Sequence, residues 1–210
     1  MSARYHAPDA APRGVVILAP GAGATMEQPF LRRLCADLAG AGFGGLRFNF
    51  PYKERGAARP DPPRVLEATW RAVAGMARRE FEPSFLAIGG RSMGGRIASM
   101  VVAAGEPVSA LLLLAYPLHS PSGKGADRTA HLPAIRVPAL FLSGTRDTLA
   151  PIGELRAAVG LVPRATLVEL PGADHGFATV KGASLSTAET DRLARAAVLD
   201  WLEATAGPEA

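Results

Sequence analysis

"AIGGRSMGGRIASM" occupies Ala87–Met100. An apolar lead-in reads as a strand, a glycine cluster surrounds one serine, and the segment that follows has helical spacing. Three structures compete for such a cluster. A phosphate-cradling P-loop requires Lys followed by Ser or Thr after its last glycine; here Gly95 is followed by Arg96 and Ile97, so both chemical groups are missing. A dinucleotide fingerprint fails as well, because "GAGATM" at Gly21 lacks the last glycine. A plain close-packing turn remains, as does a G-x-S-x-G turn, Gly90-Arg91-Ser92-Met93-Gly94, that lifts a serine hydroxyl clear of a sheet edge. In that turn the flanking glycines have a physical cause: side chains two residues either side of the serine would meet neighbouring backbone. The strand before and the helix after Ser92 favour the last reading.

The rest of the chain supplies the context such a serine needs. Short apolar runs alternate with helical stretches. Strands are expected at Gly14–Pro20, Phe43–Pro51, Ser84–Gly90, Ser109–Pro117, Val137–Gly144 and within "ATLVELPG", and a long closing helix in "STAETDRLARAAVLDWLEATAG". This alternation predicts an α/β fold, a mostly parallel central sheet flanked by helices on both faces. The 210 residues suit one domain, 1–210, in which 1–12 form a short N-terminal strand or an extended arm. The loops after strands, Pro51–Pro63 and Pro117–Pro133, fall on the rim where such sheets carry function.

Composition narrows the class. At 48% hydrophobic and 20% charged residues the chain is globular rather than disordered. The net charge of +4 is spread among acids, with no run of like charge and no basic stripe interleaved with aromatics, so no nucleic-acid partner is expected. One cysteine, Cys35, excludes an internal disulfide and a cysteine-clustered metal site, and it is read as core. No metal and no cofactor are expected. No apolar run reaches membrane length and the N-terminal stretch lacks the apolar region of a signal peptide, so no membrane partner and a cytoplasmic location are expected.

A serine raised on such a turn asks for partners in a set chain order. "LAPGAGATM" offers backbone donors for a developing oxyanion: the N–H groups of Ala22 and of Met93, the residue after the serine. Asp147 in "SGTRDTLAP" follows a later strand, and His175 in "PGADHGF" follows the last one. Of four histidines, His6 lies in the N-terminal segment, His131 reads as a surface-loop residue, and His119 is the rival because it follows the "LLLLAYP" strand. Chain order favours His175. Asp174 is its sequence neighbour, and adjacent side chains seldom orient one another, so the acid role goes to Asp147. Ser92, His175 and Asp147 are then the expected nucleophile, base and orienting acid.

These blocks resemble the α/β-hydrolase superfamily. The resemblance rests on "PGAG" (Pro20–Gly23), "RFNFPY" (Arg47–Tyr52), "GRSMGGR" (Gly90–Arg96), "YPLH" (Tyr116–His119), "GTRD" (Gly144–Asp147) and "DHGF" (Asp174–Phe177). As a set they are similar to the small family that includes mammalian testis-expressed hydrolase-like proteins, bacterial hydrolases and a domain of an NSL chromatin-complex subunit; dienelactone hydrolases, with a cysteine nucleophile, are more distant. Related hydrolases commonly begin the oxyanion loop with His-Gly, where this chain has Pro20-Gly21. The resemblance implies the hydrolase fold and a serine hydrolase acting on carboxylic esters or thioesters. It leaves open an interaction module of the same fold without chemistry.

The interval Pro117–Arg136 is too short for a lid domain, which implies an open site for small soluble acyl substrates. Candidate pocket residues are Gly21, Gly23, Asn49, Tyr52, Arg91 and His119. For Asn49 a hydrogen bond to a loop is the favoured role. Lys53, Arg55, Arg59 and Arg91 are placed on the rim, where they bias it toward acidic substrates or, the favoured reading, are simply solvated. Arg96 is read as capping local structure. Oligomeric state is not readable from the sequence.

Overall fold

The structure is a computed structural model that describes residues 2–120 and 127–207. Seven strands form one sheet: β1 (Ala3–His6), β2 (Val15–Ala19), β3 (Gly44–Phe48), β4 (Leu86–Arg91), β5 (Ala110–Leu114), β6 (Ala139–Gly144) and β7 (Ala165–Leu170). Their order is β1-β3-β2-β4-β5-β6-β7. β1 runs antiparallel to β3, and every other pairing is parallel.

Strands β2 to β6 are buried along their whole length, which is why they read as continuous apolar runs rather than as alternating ones. Their side chains still alternate in direction. Val15, Ile17 and Ala19 join one core and Val16 and Leu18 the other. The first core is covered by α3 (Pro63–Phe81), α4 (Met93–Ala103) and α5 (Ile152–Val159), the second by α1 (Pro29–Gly40) and α6 (Thr187–Ala206). The chain therefore has the α/β-hydrolase architecture with helices on both faces and, among the described residues, no large lid. Within the Pro117–Arg136 connection, residues 121–126 lie outside the described ones.

The expected closing helix starts at a capping box. The Ser186 side chain accepts from Glu189 N, and the Glu189 carboxylate accepts from Ser186 N. Two short elements escape the sequence reading, a four-residue helix α2 (Pro51–Glu54) and a 3₁₀ turn at Leu132–Ala134. Both begin at or beside proline in stretches read as irregular, and one turn is too short to show periodicity.

The sheet order fixes where a site can form. From β2 the chain moves outward to β3, then crosses back to place β4 on the other side of β2. The carboxyl ends of β2 and β4 thus diverge into separate loops, and the crevice between them is the topological switch point of the sheet. "PGAG" leaves β2 there and Ser92 leaves β4 there.

Candidate active site

Ser92 sits between β4 and α4 with φ 49° and ψ −115°, a backbone region that a residue with a Cβ rarely adopts. Its neighbours explain how the turn is held. A Cβ on Gly90 would lie 2.2 Å from the Ala19 carbonyl oxygen, and one on Gly94 would lie 2.5 Å from the same atom and 2.6 Å from Pro20 O. Only glycine lets β4 and α4 pass this close to the end of β2. Backbone bonds lock the turn: Ser92 N donates to Leu114 O at 2.8 Å and Arg96 N to Ser92 O at 3.0 Å. The first turn of α4 lies directly after the hydroxyl, and its dipole favours negative charge there.

The structure brings Ser92, His175 and Asp147 into one hydrogen-bonded chain. Ser92 Oγ is 2.9 Å from His175 Nε2, and His175 Nδ1 is 2.7 Å from Asp147 Oδ2. The Asp147 side chain is fully buried, and its other oxygen accepts from Leu149 N at 2.8 Å. A buried, acceptor-only carboxylate on Nδ1 fixes the proton there and leaves Nε2 as an acceptor facing the serine. The loops carrying these residues are stitched together: Arg146 N donates to Ala173 O and Gly172 N to Thr145 Oγ1, both at 2.8 Å. Asp174 faces its own loop, accepting from Gly176 N and Ala178 N.

The loop after β2 is held by equally local contacts. Gly23 N donates to Tyr52 Oη at 2.9 Å, and Met26 N donates to Asn49 Oδ1 at 2.7 Å. These two props hold the loop after β2. Neither the Ala22 N–H nor the Met93 N–H has a hydrogen-bond partner among the described residues, and both residues line a cavity of about 290 Å³ beside Ser92. Leu66, Leu149 and prolines 60, 63 and 117 give that cavity an apolar body, while Asp61, Arg96 and Arg128 give it polar walls.

None of the six candidate pocket residues lines this cavity. Asn49 and Tyr52 act behind the loop, as just described, because both side chains turn inward from the β3 end. Arg91 is buried rather than on the rim: the alternation of β4 turns it toward the α1 and α6 face. Its guanidinium stacks 4.2 Å from the Phe177 ring centroid and 5.5 Å from that of Phe30, and Nη2 donates to His175 O at 2.6 Å. Burial pushes its pKa down to about 10, so it remains a cation that anchors the His175 loop. His119 is half exposed and pairs with Glu154 at 2.7 Å. Gly21 packs against the turn, where a Cβ would be 3.6 Å from Ser92 Cβ, and the N–H of Gly23 is already engaged.

Two other expectations change. His131 is not a surface-loop residue; it is half buried, with Nε2 2.7 Å from Ser99 Oγ. Arg96 does not act as a cap; its side chain reaches the cavity wall. Arg128, Asp61 and Leu66 join the cavity wall without any sequence signal. Their positions come from distant segments folding over Ser92, and nothing local in the sequence marks them.

Comparison with known proteins settles the family. A sequence model of the α/β-hydrolase domain matches residues 12–203. The chain belongs to the α/β-hydrolase domain family. Solved structures with the hydrolase fold agree. An α/β serine hydrolase homologue from Coxiella burnetii is 20% identical with a TM-score of 0.77, covering 96% of this chain and 91% of its own. A protein from Thermus thermophilus is 23% identical with a TM-score of 0.73 and coverages of 96% and 93%. A lid-less member of the α/β serine hydrolases from Xanthomonas campestris is 21% identical with a TM-score of 0.72 and coverages of 95% and 88%. At such identities the likeness is one of fold. No helix among the described residues of this α/β-hydrolase domain is long and apolar enough to cross a membrane.

Proposed function

We propose that this chain is a serine hydrolase that cleaves a carboxylic ester or thioester of a small acyl group through an acyl-enzyme intermediate. The observation that carries this reading is the hydrogen-bond chain Asp147–His175–Ser92, which ends at the wall of the cavity. Ser92 Oγ attacks the carbonyl carbon while His175 Nε2 takes its proton. Asp147 holds the proton on Nδ1 and stabilises the imidazolium. The tetrahedral oxyanion receives the N–H groups of Ala22 and Met93. The carbon–oxygen or carbon–sulfur bond then breaks, and His175 returns the proton to the leaving alcohol or thiol. Water repeats the sequence on the acyl-enzyme, giving its proton to His175 and releasing the acid and the free serine. A volume of about 290 Å³ is at the lower end of the ~300–1,000 Å³ usual for small-ligand sites and suits short acyl chains.

The test is labelling by a fluorophosphonate probe. Wild type is expected to label, with labelling lost in Ser92→Ala and in His175→Ala. A folded wild type that resists the probe and turns over no member of an ester and thioester panel overturns the reading and favours an interaction module.

A further inference from the structure

Several arginines of this molecule have an acidic partner among the described residues. Arg33 pairs with Asp191, Arg71 and Arg78 with Glu106, and Arg156 with Glu169. The two on the wall of the Ser92 cavity differ. Among the described residues neither Arg96 nor Arg128 forms an ion pair, although both side chains are partly buried. Among the described residues the Arg96 guanidinium has one hydrogen-bond-range partner, the thioether of Met100, 3.3 Å from Nη1. Arg128 Nη1 donates to Pro117 O at 3.3 Å and to His119 O at 2.7 Å, which fixes the guanidinium and leaves its other donors unspent among the described residues. Arg96 also lies one helical turn past Ser92, on the same side of α4.

We infer that Arg96 and Arg128 form a carboxylate subsite, so that the acyl group taken by Ser92 is a short carbon chain ending in an acid. The inference rests on the hydrolase reading and names its substrate class.

The neighbouring titratable groups leave the two cations uncompensated. His131 sits beneath Arg96, and burial, reinforced by the Arg96 charge, lowers its pKa, so it is neutral at pH 7. Burial raises Tyr116 to about 12, so it too is neutral; its hydroxyl donates to Arg128 O. Asp127 is exposed and accepts from its own turn at Thr129. Glu154 is taken by His119. Asp61 shares the cavity wall; its Oδ1 accepts from Arg55 at 2.5 Å, and its buried Oδ2 has no hydrogen-bond partner among the described residues, so it pairs with neither arginine. The Arg128 pKa is lowered by burial and then by Arg96, as expected of two like charges close together. An anion entering here relieves that repulsion, and the planar guanidinium fork matches a carboxylate. Between Ser92 and the arginines the cavity offers Met93, Leu66 and Leu149, a lining for methylenes.

The experiment compares matched aryl esters: butanoyl, butanedioyl with its free acid, the methyl ester of the latter, and a phosphate-ended analogue. Wild type is expected to favour the free-acid ester over the neutral pair by about tenfold or more in kcat/KM. Arg96→Gln and Arg128→Gln are each expected to cut that ratio by about tenfold, with partial recovery in Arg96→Lys and Arg128→Lys. A wild-type ratio near one, or a ratio unmoved by both Gln substitutions, overturns the subsite. Preference for the phosphate-ended ester overturns the carboxylate assignment. A binding arm separates this from failure of the hydrolase reading: monomethyl butanedioate is titrated into Ser92→Ala followed by NMR. Saturable binding that weakens when Arg96→Gln is added supports the subsite even if no ester turns over, and no binding at millimolar concentration overturns it.

Discussion

Ser92 and Ser99 lie on either side of the first turns of α4, and each is within hydrogen-bond reach of a histidine, at 2.9 Å from His175 and 2.7 Å from His131. The pairs have opposite proton logic. Ser99 donates to Arg96 O at 2.7 Å, so its oxygen can only accept from His131, and His131 Nε2 must carry the proton. His175 has Asp147 on Nδ1, so its Nε2 is bare and Ser92 must donate. Ser99 is fully buried in ordinary helix, while Ser92 stands on a strained turn beside a cavity. A serine and a histidine in contact therefore do not make a nucleophile. The third residue on the far nitrogen, and the absence of a competing acceptor for the hydroxyl, decide the direction of proton transfer.

The largest expected effect breaks the Ser92 pair without removing a member. Asp147→Asn keeps the shape but presents a donor or a neutral acceptor to Nδ1, and the wrong tautomer should lower kcat by about 10³–10⁴-fold with a small change in KM. Steady-state kinetics checks this; a loss under tenfold refutes the role given to Asp147.

An intermediate effect is expected at the anchor behind His175. Arg91→Met removes the bond to the His175 carbonyl and the contacts with Phe30 and Phe177 while keeping an apolar stem. The loop should shift by a fraction of an ångström, costing about 10–100-fold in kcat. Unchanged kcat, measured with a circular-dichroism melt to confirm folding, shows that the loop is held by its backbone bonds alone.

The smallest effect lies at the second pair. Ser99→Ala leaves the His131 N–H without its acceptor and should cost about 1–2 kcal/mol of stability while ester hydrolysis stays within about threefold. His131 adds a pH signature. Its folded pKa is below the ordinary 6.5, so under that pH the unfolded chain binds more protons and stability falls as pH drops. His131→Gln should flatten that part of the Tm–pH curve between about pH 7 and 5. A tenfold loss of hydrolysis in Ser99→Ala would mean the two pairs are coupled.

Most of the fold is legible in the chain because fully buried parallel strands leave unbroken apolar runs, and the covering helices leave 3.6-residue periodicity. β1 is fainter, four partly exposed residues whose place comes from pairing with β3. The strained turn is legible for a similar reason. Close backbone approaches at Gly90 and Gly94 admit no Cβ, so the conformation is written locally in glycine. The direction of long side chains is not.

By itself, then, the sequence determined the layered α/β architecture, the turn that lifts Ser92, and the order in which Asp147 and His175 follow it. Each is set by short-range sterics or by burial within one element. Tertiary structure alone decided which arginine serves which task. Arg91, expected on the rim, turns inward to hold the His175 loop, and Arg96, expected as a cap, reaches the cavity with Arg128. A flexible cation takes its direction from what packs around it, and here that is Phe30, Phe177 and the wall folded over Ser92 by segments far away in the chain.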